Sequence, residues 1–240
     1  MSGHSHAATI KRDKEATDAK KGAAFSQIAR LITIAVGTSG GITDPVKNFK
    51  LRMAFVKARQ MNMPKENINR AIERAAGKGE GGKLSTNTYE GFGPGGTAVI
   101  VECITDNKNR TAAEIKNLFE KNGGNLAQPG AAAHFFDRKG RILVVKNAKP
   151  EEQMLSLIDL GVEDVEEKRE VLEIYIPLEN IMVFKDKITN LGFNVLEAEP
   201  VFKTKARLSL DPQALERVKK FSAALKAHED VQKVFFNVDF

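Results

Sequence analysis

From residue 25 the large apolar side chains recur at helical spacing. Phe25, Ile28, Ile32 and Ala35 lie three or four positions apart, and the pattern stops at Gly37 and the pair Gly40-Gly41. A second helix is predicted from about Pro45 to Gln60, with Asp44 as N-cap and Pro45 in its first turn. On its wheel Phe49, Met53 and Val56 form one apolar flank, and Leu51, Phe55 and Ala58 form another. Lys47, Lys50 and Lys57 lie on a ridge between those flanks, with Arg52 and Arg59 on the opposite ridge. A helix buried on two sides with its basic ridges clear suits a bundle element facing an anion. A third helix follows Pro64, placing Ile68, Ala71, Ile72 and Ala75 inside. It ends at Gly77-Lys78-Gly79, and the glycine-rich stretch to Gly82 reads as a linker. Residues 1–22 hold only Ile10 as a large apolar anchor and read as an arm weakly ordered alone.

Beyond the linker the period changes. Strands are expected at Thr97–Ile104, Ala133–Phe136, Ile142–Val145, Val162–Val165, Val171–Ile176, Val195–Glu199, 201–208 and Val231–Val238. Helices are expected at Arg110–Lys121, Glu151–Leu160, Leu178–Leu191 and Pro212–Lys226. Within 140–199 the order is β-α-β-β-α-β, the ferredoxin-like arrangement, and the flanking pieces spell the same order if joined in space. The predicted class is α+β in three lobes. Residues 1–79 form a basic helical nucleic-acid-binding domain with its arm. Residues 83–137 and 200–240 form a discontinuous ferredoxin-like α+β domain, and 138–199 an acidic ferredoxin-like one inserted into it.

Composition changes this picture through charge. The 240 residues carry a formal net charge of +6. Residues 1–79 hold 15 Lys and Arg against 6 Asp and Glu, whereas 150–200 hold 4 against 13. Such polarity points to a polyanion at one end, set against the plainer reading of solvated faces that differ in sign. No apolar run reaches the roughly 18 residues of a membrane span. The opening segment has no secretory core, and Asp13, Glu15 and Asp18 argue against a transit peptide. One cysteine, Cys103, excludes an internal disulfide framework and an all-cysteine metal site, and a reducing cytoplasm is the simplest location.

Few residues suggest chemistry. Gly91-Phe92-Gly93-Pro94-Gly95-Gly96 fits G-x-G-x-x-G, but it precedes a strand and Pro94 lacks an amide donor, so a packed glycine turn is favoured. Thr105–Thr111 joins a strand to a helix that Asn109 or Thr111 could cap. Lys108, Asn109 and Arg110 there are secondary phosphate-contact candidates, weighed evenly against a capped, solvated turn. His4, His6, His134 and His228 are scattered, and Cys103 reads as a small buried hydrophobe. No catalytic pair, cofactor or metal site is expected. The nucleic-acid contacts are assigned to Lys11, Arg12, Lys14, Lys20 and Lys21 on the arm, and to Lys47, Lys50, Arg52, Lys57 and Arg59 on the second helix. Lys65 joins them, and Arg70 ranks lower because Glu66 can pair with it at i,i+4. With few aromatics nearby, base stacking is not the expected mode.

These residues carry a resemblance. Gly3-His4-Ser5, Ile10-Lys11 and Asp18-Ala19-Lys20-Lys21-Gly22 followed by Phe25 are similar to the opening of YebC/PmpR proteins. The similarity continues through Asn48-Phe49-Lys50-Leu51-Arg52, Asn62–Ile68, Arg70-Ala71-Ile72, Tyr89–Gly96 and Val101-Glu102-Cys103. Thr105-Asp106-Asn107, Asn109-Arg110-Thr111, Gly123–Leu126 and Asp230–Val234 complete it. His6 and Ala7 stand where the family usually has Lys-Trp, and Ala23 where it has Lys, which removes an aromatic contact by the arm; Ala131, Ala132 and His134 depart only locally. The resemblance implies a three-lobe α+β fold, a cytoplasmic location and a transcriptional regulator that binds DNA. It also implies a rival, an RNA- or ribosome-binding translation factor, since the family includes a mitochondrial translational activator. An enzyme ranks far behind. The acidic 150–200 region is expected to face away from nucleic acid, towards a possible protein partner. Oligomeric state is not legible.

Overall fold

A computed structural model describes the backbone of residues 4–75 and 84–240, and the side chains of 21–75 and 84–240. The expected linker 76–83 lies outside the described residues. Three helices come first: α1 (His4–Thr38), α2 (Phe49–Gln60) and α3 (Lys65–Ala75). The stretch from His4 to Gly22, expected as an arm, is thus the first part of α1. It holds no proline and is rich in alanine, which favours helix. α1 stops where Gly40 turns to φ 72° and the Gly41 N–H reaches back to Val36 O (2.9 Å), as a glycine C-cap does.

α2 starts four residues later than its sequence pattern predicts. Asn48, not Asp44, caps it, its Oδ1 accepting from Leu51 N at 3.1 Å. Asp44 instead caps a preceding turn, accepting from Val46 N (2.9 Å). Asn62 at φ 52° ends α2, and the Met63 N–H returns to Ala58 O (2.9 Å). Ile28, Ile32, Ala35 and Val36 of α1 pack with Leu51, Ala54 and Ala58 of α2 and with Ala71 of α3. α2 therefore buries one stripe rather than two flanks; Phe49, Met53 and Val56 are only half-buried.

The first sheet has strands β1 (Ser85–Phe92), β2 (Ala98–Thr105), β3 (Asn125–Ala127) and β8 (Val231–Phe236), in the order β3-β1-β2-β8, all neighbours antiparallel. Helices α4 (Lys108–Lys121) and α7 (Pro212–Ala227) contribute Ile115, Phe119, Phe221 and Leu225 to its core. This is the ferredoxin-like order with one central strand, β1, supplied from the start of the segment. The strand expected at 201–208 therefore has no part in this sheet. The glycine turn packs as expected. A Cβ on Gly91 would meet Phe119 and Asn125 O at 2.5 Å, and one on Gly93 would meet Phe221 at 2.9 Å.

The second sheet contains β4 (Phe136–Val145), β5 (Asp164–Glu167), β6 (Val171–Ile176) and β7 (Val195–Thr204), in the order β5-β6-β4-β7, again antiparallel throughout. With α5 (Pro150–Asp159) and α6 (Ile181–Asn190) it is ferredoxin-like without permutation. One face, with Ile142, Val144, Leu172, Ile174 and Ile176, is buried with Leu157 and Ile188 of the helices. Residues 133–135, expected as strand, form a 3-10 turn, and β4 starts at Phe136. By contacts the chain forms two compact units, Met1–Ala132 with Ser209–Val238, and Ala133–Leu208.

Candidate nucleic-acid interface

The helical module brings cations together because its apolar stripes fix which sides of α2 and α3 face water. Residues 21–75 carry ten Lys and Arg against three acids, Asp44, Glu66 and Glu73. Lys21, Lys47, Lys50, Arg59, Lys65 and Arg70 are exposed. Lys57 is half-buried. Arg52 is also half-buried, its guanidinium 5.6 Å from the Phe49 ring centroid. Lys47, Lys50, Arg59 and Lys65 meet no carboxylate among the described residues. Arg70 does not pair with Glu66; its Nη2 donates to Asn67 Oδ1 at 2.6 Å. The side chains of Lys11, Arg12, Lys14 and Lys20 lie outside the described residues.

Arg70 also lines a groove of about 440 Å³ with Arg74, Asn67, Ser26, Arg30 and Asp106. Nothing in the local sequence pattern distinguishes Arg30 and Arg74. Arg30 is largely committed elsewhere: Nη1 lies 3.0 Å from Asp230 Oδ1, outside hydrogen-bonding alignment, and also donates to Glu229 O.

Asp230 is the hub of the strand–helix junction weighed above. Its carboxylate is fully buried and accepts from Thr111 Oγ1 (2.6 Å) and Arg110 Nη2 (3.2 Å). Burial alone raises its pKa, but the Thr111 hydrogen bond and the charges of Arg30 and Arg110 outweigh burial and hold it below the ordinary value. Arg110 also meets Asp106 (3.2 Å) and Glu114 (3.9 Å), so three carboxylates oppose its charge. Lys108 and Asn109 are exposed in the first turn of α4. The cap of that helix is Asn107, accepting from Arg110 N at 3.1 Å, rather than Asn109 or Thr111. Thr111 is buried against Asp230 instead.

Glu114, His228 and Asp230 could in principle surround a metal ion. The geometry serves hydrogen bonding instead. His228 Nδ1 accepts from Asp230 N (3.1 Å), Nε2 lies 2.9 Å from Glu114 Oε2, and Asp230 Oδ2 accepts from both Arg110 and Thr111. In the second unit Arg141 sits among Glu173 (3.6 Å), Glu197 (2.9 Å) and Glu199 (2.9 Å), an acidic surround on the sheet face away from the helices. No described helix is long and apolar enough to cross a membrane.

A basic three-helix module ahead of two ferredoxin-like sheets, one built from discontinuous chain, defines a three-lobe α+β class. Residues 5–78 match the TACO1/YebC protein N-terminal domain, and residues 84–238 match the TACO1/YebC second and third domain. The chain belongs to the TACO1/YebC family. It is 43% identical, over all of its length and 97% of the relative's, to a Brachyspira hyodysenteriae protein named "probable transcriptional regulatory protein". A Dictyoglomus turgidum protein of the same name is also 43% identical, with 96% of its length covered. The crystal structure of a conserved hypothetical protein from Aquifex aeolicus superposes with a TM-score of 0.82 at 38% identity, covering 92% of this chain and 91% of that one.

Proposed function

We propose that this chain is a non-enzymatic cytoplasmic transcriptional regulator that binds duplex DNA through the phosphates. The observation that carries this is the set of exposed cations in the turn before α2, on α2 and on α3, namely Lys47, Lys50, Arg59 and Lys65, without carboxylate partners among the described residues. Lysines already paired would exchange one partner for another, whereas these release condensed counterions when they meet phosphate. The names of the relatives support the regulatory role. Lys108 remains a secondary contact, while Arg110 ranks lower because of the acids around it.

Replacing Lys47 and Lys50 by Ala is expected to weaken binding to all sequences alike and to flatten the log–log salt dependence by about 0.9 per lost contact. Fluorescence anisotropy on a duplex over a salt series measures this, and an unchanged slope removes these lysines from the interface. The same cations would attract ribosomal RNA, so purified ribosomes competing against duplex DNA at near-physiological salt decide between regulators of transcription and translation. Protein retained on ribosomes without competition from DNA overturns the DNA assignment. The acidic lobe supports a separate contact with a basic, partly apolar protein segment. On α5, Leu155 (62% exposed) and Ile158 (53%) stand in water beside Glu151, Glu152 and Asp159. Ile158→Lys is expected to abolish capture of a lysine- and leucine-rich peptide, and undiminished capture rejects that contact.

A further inference from the structure

Between α1 and α2 the chain makes a turn whose tip is apolar. Val46 is 77% exposed, the most open of the large apolar side chains described. Lys47 follows it directly, and Lys50 stands in the first turn of α2, both exposed.

The turn is locked from beneath. Asn48 is 4% exposed, and its Nδ2 lies 2.9 Å from Ala35 O, Ser39 Oγ and Ile42 O. Its Oδ1 caps α2. Asp44 Oδ1 accepts from Val46 N, and Asp44 O accepts from Lys47 N (3.1 Å) and Asn48 N (2.9 Å). Pro45 fixes a further torsion. A valine held this firmly in water gains nothing for the fold. It is positioned in advance for a surface that can cover it, so little ordering entropy opposes contact.

We propose that Val46 is an apolar wedge that inserts at a base step of bound duplex DNA, while Lys47 and Lys50 hold the flanking phosphates. The proposal rests on the DNA-binding reading above. The cations favour a polyanion over an apolar protein surface, and within a duplex the only apolar surfaces are base planes and methyl groups. Proteins that insert such side chains partly unstack one step and kink the duplex.

The test uses the full chain and a duplex of about 30 base pairs carrying a donor and an acceptor dye at its ends. Val46→Ser is expected to lower affinity about tenfold, the value of burying one valine-sized side chain. The salt slope stays as in the parent, and the bend seen by energy transfer is lost. Lys50→Ala is expected to flatten the slope while keeping the bend in the complexes that form. Because Val46 is solvent-exposed, its thermal midpoint should be unchanged, which separates lost contact from lost fold. A parent complex without a bend, or a Val46→Ser complex as tight and as bent as the parent, overturns the wedge. In that case a flattened slope for Lys50→Ala leaves the phosphate reading standing. An unchanged slope for Lys50→Ala ends that reading instead.

Discussion

Asp230 shows how a single residue joins distant parts of the sequence. Its partners Arg30 and Arg110 lie about two hundred and just over a hundred positions away. Asp230→Asn would leave two guanidiniums facing a neutral amide. We expect a loss of about 2–3 kcal/mol, below the full cost of breaking a buried pair because both arginines keep access to water. Since the folded pKa is depressed, this stabilisation is fully present above the ordinary value of 3.8 and is lost as pH falls through the lower folded value. Urea midpoints between pH 6 and 3 should therefore drop more steeply in the parent than in Asp230→Asn, and parallel curves would refute the linkage. Cys103 gives a second residue-scale expectation. Burial first, then the negative charges of Asp230 and Glu102, push its thiol up to about 12. No thiolate forms at pH 8 in the native state. Labelling by a thiol reagent should follow global unfolding, and rapid labelling without denaturant would contradict this burial. Neither pairing was legible in the sequence. Local spacing carries no signal for contacts so far apart.

At the scale of elements, Asn48 is the most informative position, since one amide both caps α2 and ties down the turn before it. Asn48→Ala should cost about 2 kcal/mol, a lost cap with buried acceptors left open. Thermal unfolding measures it, and a change below 0.5 °C would mean that water replaces those bonds. The same scale shows what patterns of apolar residues do and do not reveal. The apolar runs of β2, β6 and α7 were placed within a residue or two, because burial there is continuous or strictly periodic. β1 was missed. Its sequence Ser-Thr-Asn-Thr-Tyr-Glu-Gly-Phe is polar, since one face of its first half meets water and Gly91 stands where Phe119 leaves no room for a side chain. The sequence pattern predicts two strands either side of Pro200, yet β7 is one strand at a sheet edge, where a missing N–H is tolerated. Of the basic ridges expected on α2, Lys50 and Arg59 do face water, whereas Lys47 precedes the helix and Arg52 and Lys57 are half-buried, because helical spacing alone does not say how far a neighbouring helix reaches over a ridge. The exposed Val46 was not legible, as a single valine beside lysines has the same local pattern as a buried one.

For the whole molecule, the acidic stretch 150–200 falls within one folding unit and the basic helices α2 and α3 within the other. The second sheet begins and ends on paired strands, with Phe136 opposite Thr204. Antiparallel partners are only about 5 Å apart, so a turn of a few residues can join them. Replacing 137–203 by a short Gly-Ser turn would remove ten Lys and Arg and fourteen Asp and Glu, raising the formal charge of the remainder from +6 to +10. All the cations described on α2 and α3 would be retained. If phosphates are held there, the shortened chain should bind duplex DNA with a salt slope no shallower than that of the full chain. Affinity should rise at low salt, where an acidic lobe repels the duplex from a distance, and the gain should vanish above roughly 0.3 M, where the Debye length is only a few ångströms. Anisotropy titrations on both chains over one salt series measure slope and offset together. A shallower slope in the shortened chain would place phosphate contacts on the removed lobe and reverse the assignment of acidic and basic lobes to protein and nucleic acid.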